Sequence, residues 1–255
     1  MKRYMDINCD LGESFGVYRL GEDEQILDYV TSANVACGFH AGDPSTMRRT
    51  VEACLAKGVA VGAHPGLRDL EGFGRRTMAI GAEEVYELVL YQLGALGAFV
   101  RSAGAELRHV KPHGALYHMA ESVPGVAEAI VKAAVAYDRT LCVYGMASGR
   151  LAASAQSAGL PVVHEAFADR AYASASQLAP RTAPGAVLAD ASAAAEQAVS
   201  IAVKGAVRTI GGREESLKAD TLCIHSDSAH ALTIARRVHQ ALLNEGVSLK
   251  SLRFD

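Results

Sequence analysis

Asp6-Ile7-Asn8-Cys9-Asp10-Leu11-Gly12-Glu13, near the start of the chain, sets polar residues at every second position of a strand-like run. Side chains alternate along a strand, so Asp6, Asn8 and Asp10 share one face. A polar strand face is either turned to water at a sheet edge or turned into a barrel. Inside a barrel the groups must bind each other, water, a metal or a substrate, because buried polar atoms without partners are costly. Further strand patterns follow at 33–36, 59–62, 108–110, 140–143, 162–164, 206–210 and 222–224, after a first at 4–9. Ionisable residues gather just after them: Asp10 and Glu13, His40 and Asp43, His64, Lys111 and His113, Glu165 with Asp169 and Arg170, then His225 and Asp227. An open doubly wound sheet concentrates function at one switch point. A barrel collects it from most strand ends around one mouth. The spread over six strand ends favours a distorted parallel (β/α) barrel of the TIM-barrel type, a single domain over residues 1–255.

Helical periodicity fills the intervals. Val85, Leu88, Val89, Gln92 and Leu96 fall on one helix face, as do Ala231, Ile234, Ala235, Val238 and Leu242. Asp43-Pro44 reads as an N-cap followed by proline in the first turn. Gly58, Gly104, Gly159 and Gly246 each stand between a helical and an apolar run, where a left-handed C-terminal cap belongs. The alanine-rich stretch 191–198 reads as helix rather than disorder.

Composition excludes several partner classes. Of 255 residues, 25 are Lys or Arg and 28 are Asp or Glu, a formal net charge of -3. No basic excess invites nucleic acid or an anionic membrane. Acidic residues follow Lys2-Arg3 at once, which is unlike a secretory leader, and no apolar run approaches the length of a bilayer span. The five cysteines, Cys9, Cys37, Cys54, Cys142 and Cys223, are scattered and odd in number. They read as reduced thiols packed in a cytoplasmic protein, with neither a disulfide framework nor a zinc knuckle.

Four segments carry chemistry. In Cys37-Gly38-Phe39-His40-Ala41-Gly42-Asp43, glycines bracket a histidine in a loop, and Gly62-Ala63-His64-Pro65-Gly66 supplies a second. With Asp10 these two histidines can ligate Zn²⁺ or another divalent ion; they can equally bind substrate or move protons. Gly72-Phe73-Gly74-Arg75-Arg76 suits an anion or forms a solvated charge pair. His109-Val110-Lys111-Pro112-His113-Gly114 places His109, Lys111 and His113 on one side of a strand. A buried lysine there needs an anion, and a rim histidine titrates near neutral pH. Glu165, Asp169-Arg170 and His225 complete the ring. No G-x-x-x-x-G-K-[ST] loop, kinase-type glycine loop or G-x-S-x-G elbow is present.

DINCDLGESFG, SANVACGFHAGDP, GAHPGLRDLEGFGRR, HVKPHGALYH and EAFADRAY, running in order between Asp6 and Tyr172, resemble the LamB/YcsF family. The likeness extends to Asp227. His225-Ser226-Asp227-Ser228 departs from the expected HGDN, and Ala175-Ser176-Gln177 lacks an expected glycine. The resemblance implies a barrel related to the carbohydrate deacetylases. It implies the A subunit of an ATP-dependent 5-oxoprolinase, converting 5-oxo-L-proline to L-glutamate beside two partner subunits, B and C, with ATP and Mg²⁺ used by the complex. The lactam is resonance-stabilised and its amine leaves poorly. Phosphorylating the amide oxygen activates the carbon, and the missing phosphate loop fits partners that supply that step.

Under this reading Asp10 or Glu13 is the expected base, and His113 the expected acid, with His40 or His64 behind it. Arg75 or Lys111 is the carboxylate contact. Asn8, His40, His64, Arg75, Glu165, Asp169, Arg170 and His225 are the expected substrate-binding set. Asp10, His40 and His64 are the expected ligands if a divalent metal is held. Two alternatives stay open: a metal-dependent deacetylase or amidohydrolase acting alone, and a non-catalytic subunit that holds 5-oxoproline.

Overall fold

A computed structural model describes residues 4–252. The Lys2-Arg3 start and both ends of the 1–255 domain range lie outside the described residues. Seven parallel strands close into a barrel: β1 (Tyr4–Leu11), β2 (Ser32–Ala36), β3 (Ala60–His64), β4 (His109–Val110), β5 (Cys142–Met146), β6 (Val162–Phe167) and β11 (Thr221–His225). Closure is made by β11 against β1, from Asp6 opposite Thr221 to Asp10 opposite His225. The short β12 (Ser248–Leu249) extends the sheet beside the start of β1.

The pattern at 206–210 is not a barrel strand. It forms β9 (Ala206–Arg208), paired antiparallel with β10 (Glu214–Ser216) in the long crossover after β6. β7 (Tyr172–Ser174) and β8 (Gln177–Leu178) make a second hairpin in the same crossover. β6 pairs directly with β11, so the barrel closes with seven strands and leaves no gap for an eighth.

Helices pack outside. α1 (Asp23–Ile26), α2 (Pro44–Ala56), α3 (Ala82–Ser102), α4 (Gly114–Ser122), α5 (Val126–Tyr137), α6 (Arg150–Ser157), α7 (Ala191–Val199) and α8 (Ala231–Asn244) follow the strands, and a π-turn over Ser200–Lys204 ends α7. The Asp43 side chain accepts from the amides of Ser45 and Thr46, as the N-cap reading requires. α3 and α8 bury the five residues expected of each, and the four expected cap glycines all have positive φ. The cysteines are all free and buried. Among the described residues no helix is long and apolar enough to cross a membrane.

The barrel interior is polar where such interiors are usually filled by branched aliphatics. At the bottom, Asp6 accepts hydrogen bonds from the hydroxyls of Thr31, Ser32 (2.7 Å), Tyr144 (3.1 Å) and Thr221. Above it, Asn8 donates to Thr221 (2.8 Å) and accepts from Asn34 (2.7 Å), while His109 donates to Asn34 Oδ1 (2.7 Å). A Cβ on Gly62 would lie 2.1 Å from the His109 ring, so only glycine leaves room for that imidazole. Each buried group has a partner, which offsets the desolvation cost and fixes the layer above.

Candidate active site

That upper layer floors a cavity of about 600 Å³ at the carboxyl end of the barrel. Asp10 and Lys111 rise from β1 and the exit of β4. Lys111 Nζ lies 2.8 Å from Asp10 Oδ1, 3.1 Å from Glu165 Oε1 and 2.9 Å from Cys223 Sγ. Burial depresses the lysine pKa, but Asp10 and the other anionic neighbours outweigh it and hold it well above the ordinary range. Burial raises Asp10 in turn, and His64 and Lys111 pull it well below the usual carboxylate range. Asp10 also accepts from Asn34 (2.9 Å), whereas neither Glu165 oxygen has a hydrogen-bond partner beyond the Lys111 ion contact. The Tyr117 hydroxyl, on the cavity wall, is buried beside Glu165 without a well-aligned hydrogen bond.

Beside the floor stand three imidazoles and a carboxylate. His64 ends β3, His113 caps the start of α4, His40 follows β2 and Glu13 follows β1. His64 Nδ1 donates to the Lys111 carbonyl (2.7 Å) and His113 Nε2 donates to the Phe73 carbonyl (2.8 Å). Their other nitrogens face each other at 2.9 Å. His64 Nε2 is also 3.2 Å from Asp10 Oδ2, and His113 Nδ1 is 3.5 Å from Glu13 Oε1. His40 Nε2 lies 3.1 Å from Glu13 Oε1, and its Nδ1 is buried with no partner. Burial drives the His40 and His113 pKa values well below the usual imidazole range and Glu13 well above the usual carboxylate range. Gly74 has φ +63°, and a Cβ there would lie 2.6 Å from His40, so the loop approaches this cluster only as glycine.

Opposite the histidines, Asp169 anchors His225. It accepts the His225 backbone amide (2.9 Å) and Nδ1–H (2.9 Å), leaving Nε2 uncommitted. Burial raises the Asp169 pKa, but His225 outweighs it and the net shift is downward. Gln197 pins this loop by donating to the carbonyls of Phe167 and Arg170, each at 2.8 Å. The Arg170 side chain donates to the carbonyls of Ala179 (2.7 Å) and Ala186 (3.2 Å), so it braces the mouth as well as lining it.

The structure therefore gathers the expected residues at one end but in two ranks. Asp10, His64, Arg75, Lys111, His113, Arg170 and His225 line the cavity; Asn8, Glu13, His40, Glu165 and Asp169 lie behind them and hold them. Arg75 reaches Asp227 (2.6 Å) at the rim. Arg76 turns away to Asp69, the structural pairing left open for the tandem arginines. Lys111 is already shared between two carboxylates, Asp10 and Glu165. His118, Glu121 and Arg181 also line the cavity and lay outside the sequence reading. Arg181 comes from the loop after β8, where an arginine beside Pro180 was the available signal.

Residues 5–254 match the family model described as LamB/YcsF family. The 5-oxoprolinase A subunit of Tolumonas auensis is 50% identical over 248 residues, covering 97% of this chain and 99% of that protein. The crystal structure of a lactam utilization protein from Thermus thermophilus superposes with TM-score 0.93 at 46% identity, covering 98% of this chain and all of that one. The catalytic domain of a peptidoglycan N-acetylglucosamine deacetylase from Eubacterium rectale shares the barrel alone, with TM-score 0.53 at 9% identity over 99% of this chain and 89% of that one. From its strand-end motifs to its full-length matches, this chain belongs to the LamB/YcsF family.

Proposed function

We propose that this chain is the ring-opening subunit of an ATP-dependent 5-oxoprolinase, converting 5-oxo-L-proline to L-glutamate with partner subunits. The observation that carries the reading is the cavity: a charged, hydrogen-bonded floor, a carboxylate-backed imidazole on one wall and cations at the rim. About 600 Å³ is within the range of small-molecule sites and leaves space for a phosphorylated lactam. The full-length similarity to the A subunit of 5-oxoprolinase supplies the substrate.

The roles follow from which atoms are free. Arg181 and Arg75 at the rim take the substrate carboxylate, as guanidinium groups do. Asp10 is a weak base, because Lys111 and His64 stabilise its charge. His225 has an uncommitted Nε2 facing the cavity, and Asp169 fixes its tautomer, so His225 accepts the proton of the attacking water. His113 has no free atom, with Nε2 held by the Phe73 carbonyl and Nδ1 facing His64, so the proton that His225 takes from water is the one passed on to the departing ring nitrogen. ATP with Mg²⁺, handled by the partner subunits, phosphorylates the amide oxygen. Water adds to the activated carbon and the C–N bond breaks to release the amine. A second water hydrolyses the remaining acyl phosphate, giving glutamate and phosphate.

Glutamate release from 5-oxoproline, assayed with the chain alone and with its partners, tests the reading. Turnover is expected only with ATP and partners. ATP-independent amide hydrolysis by the chain alone would favour the stand-alone amidohydrolase instead.

A further inference from the structure

We propose that His64, His113 and Glu13 form a binding site for one divalent transition-metal ion of the zinc class, open towards the cavity. A backbone carbonyl only accepts, so the contacts to Lys111 and Phe73 place protons on His64 Nδ1 and His113 Nε2. In the neutral rings that leaves lone pairs on His64 Nε2 and His113 Nδ1, and these two atoms face each other at 2.9 Å. Two lone pairs at that distance repel unless a cation lies at their convergence. Donation of the outer N–H to a backbone carbonyl is also how metal-bound imidazoles are usually held.

The spacing suits a metal. Ligands about 2.0–2.1 Å from a tetrahedral ion lie roughly 3.3 Å apart. The His64–His113 and His113–Glu13 separations of 2.9 Å and 3.5 Å bracket that value. Ring orientation selects the ligands. An ion must lie near the plane of each imidazole it binds, and the His64 and His113 planes cross at 87°, so their lone pairs can meet at one point. His40 is stacked on His113 with centroids 3.7 Å apart and planes only 3° from parallel. Two parallel rings cannot both hold one ion in plane. His40 is therefore an outer partner that orients Glu13 through the 3.1 Å contact, not a ligand. Three protein ligands leave the fourth position for water or substrate, as in open zinc sites.

A second candidate group, Asp10 with Cys223 and His225, fails on the same grounds. Lys111 Nζ already sits 2.8 Å from Asp10 and 2.9 Å from Cys223, and an ammonium there repels a metal ion. Asp10 remains near the proposed site, with Oδ2 3.2 Å from His64 Nε2, and contributes charge to it.

This inference stands independently of 5-oxoproline turnover, because its readout is metal binding. The chelator-treated full chain is titrated with Zn²⁺, and with Co²⁺ followed by its visible absorption. One equivalent is expected to bind, with the intense Co²⁺ bands of four-coordination. His64→Ala and His113→Ala are each expected to weaken binding by more than about a hundredfold. His40→Ala should weaken it by only about 10–100-fold, the loss typical of an outer partner. His118→Ala, on the cavity wall away from the cluster, should leave affinity unchanged. If the alanine variants do not fold, Glu13→Gln keeps the side-chain shape and should still weaken binding strongly. Absence of stoichiometric binding by the folded wild-type chain overturns the proposal, and so does affinity indifferent to His64 and His113. A proton shared between the two rings, with no metal affinity, is the outcome that would replace it.

Discussion

Replacing Lys111 by methionine removes one cation from between two buried carboxylates. Lys111 is 2% exposed and Glu165 is 1% exposed, so water cannot take over the lost role. Breaking a buried pair by deleting one partner costs about 3–5 kcal/mol. For a domain of this size, 1 kcal/mol corresponds to roughly 2–4 °C in melting temperature, so Lys111→Met should lower it by about 6–20 °C. The two carboxylates are not equally exposed to the loss. Asp10 keeps the Asn34 amide at 2.9 Å and His64 at 3.2 Å. Glu165 is left with only the neighbouring Tyr117 hydroxyl, which lies outside good hydrogen-bond geometry, once the ammonium is gone. Lys111→Met with Glu165→Gln should therefore recover a large part of the loss. Lys111→Met with Asp10→Asn should recover less. Thermal unfolding followed by circular dichroism, with the single and double variants in one buffer, reads the comparison. A Lys111→Met protein melting within about 2 °C of wild type, or equal recovery by both second-site changes, would show that Lys111 does not neutralise Glu165 as described.

Other outcomes follow from the same geometry. Asp23 accepts the Gly12 amide (2.7 Å) and burial pushes its carboxyl up to about 6. A raised carboxyl pKa gives stability that is full below the unfolded value near 3.9 and lost as pH climbs through about 6. Asp23→Asn should thus gain melting temperature relative to wild type progressively from about pH 4 to about pH 6 and hold that gain above it, and a pH-independent difference would refute the assignment. Asp169→Asn should lower kcat of the assembled enzyme by about a hundredfold to ten-thousandfold, the range for a misplaced general base, when assayed well below the melting temperature that loss of the buried charge also lowers. Arg181→Ala should raise KM for 5-oxoproline with kcat nearly constant, the signature of ground-state binding; an unchanged KM would remove Arg181 from the carboxylate site.

Much of this arrangement is legible in the sequence. Period-two alternation in Asp6, Asn8 and Asp10 implies an inward polar face, and all three are buried inside the barrel. The apolar stripes of α3 and α8 and the Asp43 cap are legible for the same local reason. The strand pattern at 206–210 misleads because β-propensity does not reveal which partner a strand finds. Its partner is the adjacent Glu214–Ser216, a hairpin in the crossover. The ranks within the site are not legible either. Sequence places Lys111 and Glu165 at strand ends but does not show that one already neutralises the other. Nor does it show His225 turned by Asp169, 56 residues earlier in the chain. Such pairings depend on strand register and closure, which join β11 to both β6 and β1.

In the proposed reaction, ring opening occurs in this cavity and is driven by ATP through partner subunits. The most direct measurement is a quenched time course on the assembled enzyme, counting ADP and glutamate together for wild type and for His225→Asn. One glutamate per ADP is expected in wild type, and in the variant a fall in glutamate formation of about a hundredfold or more. Glutamate formed at the wild-type rate by a fully assembled His225→Asn enzyme would contradict it.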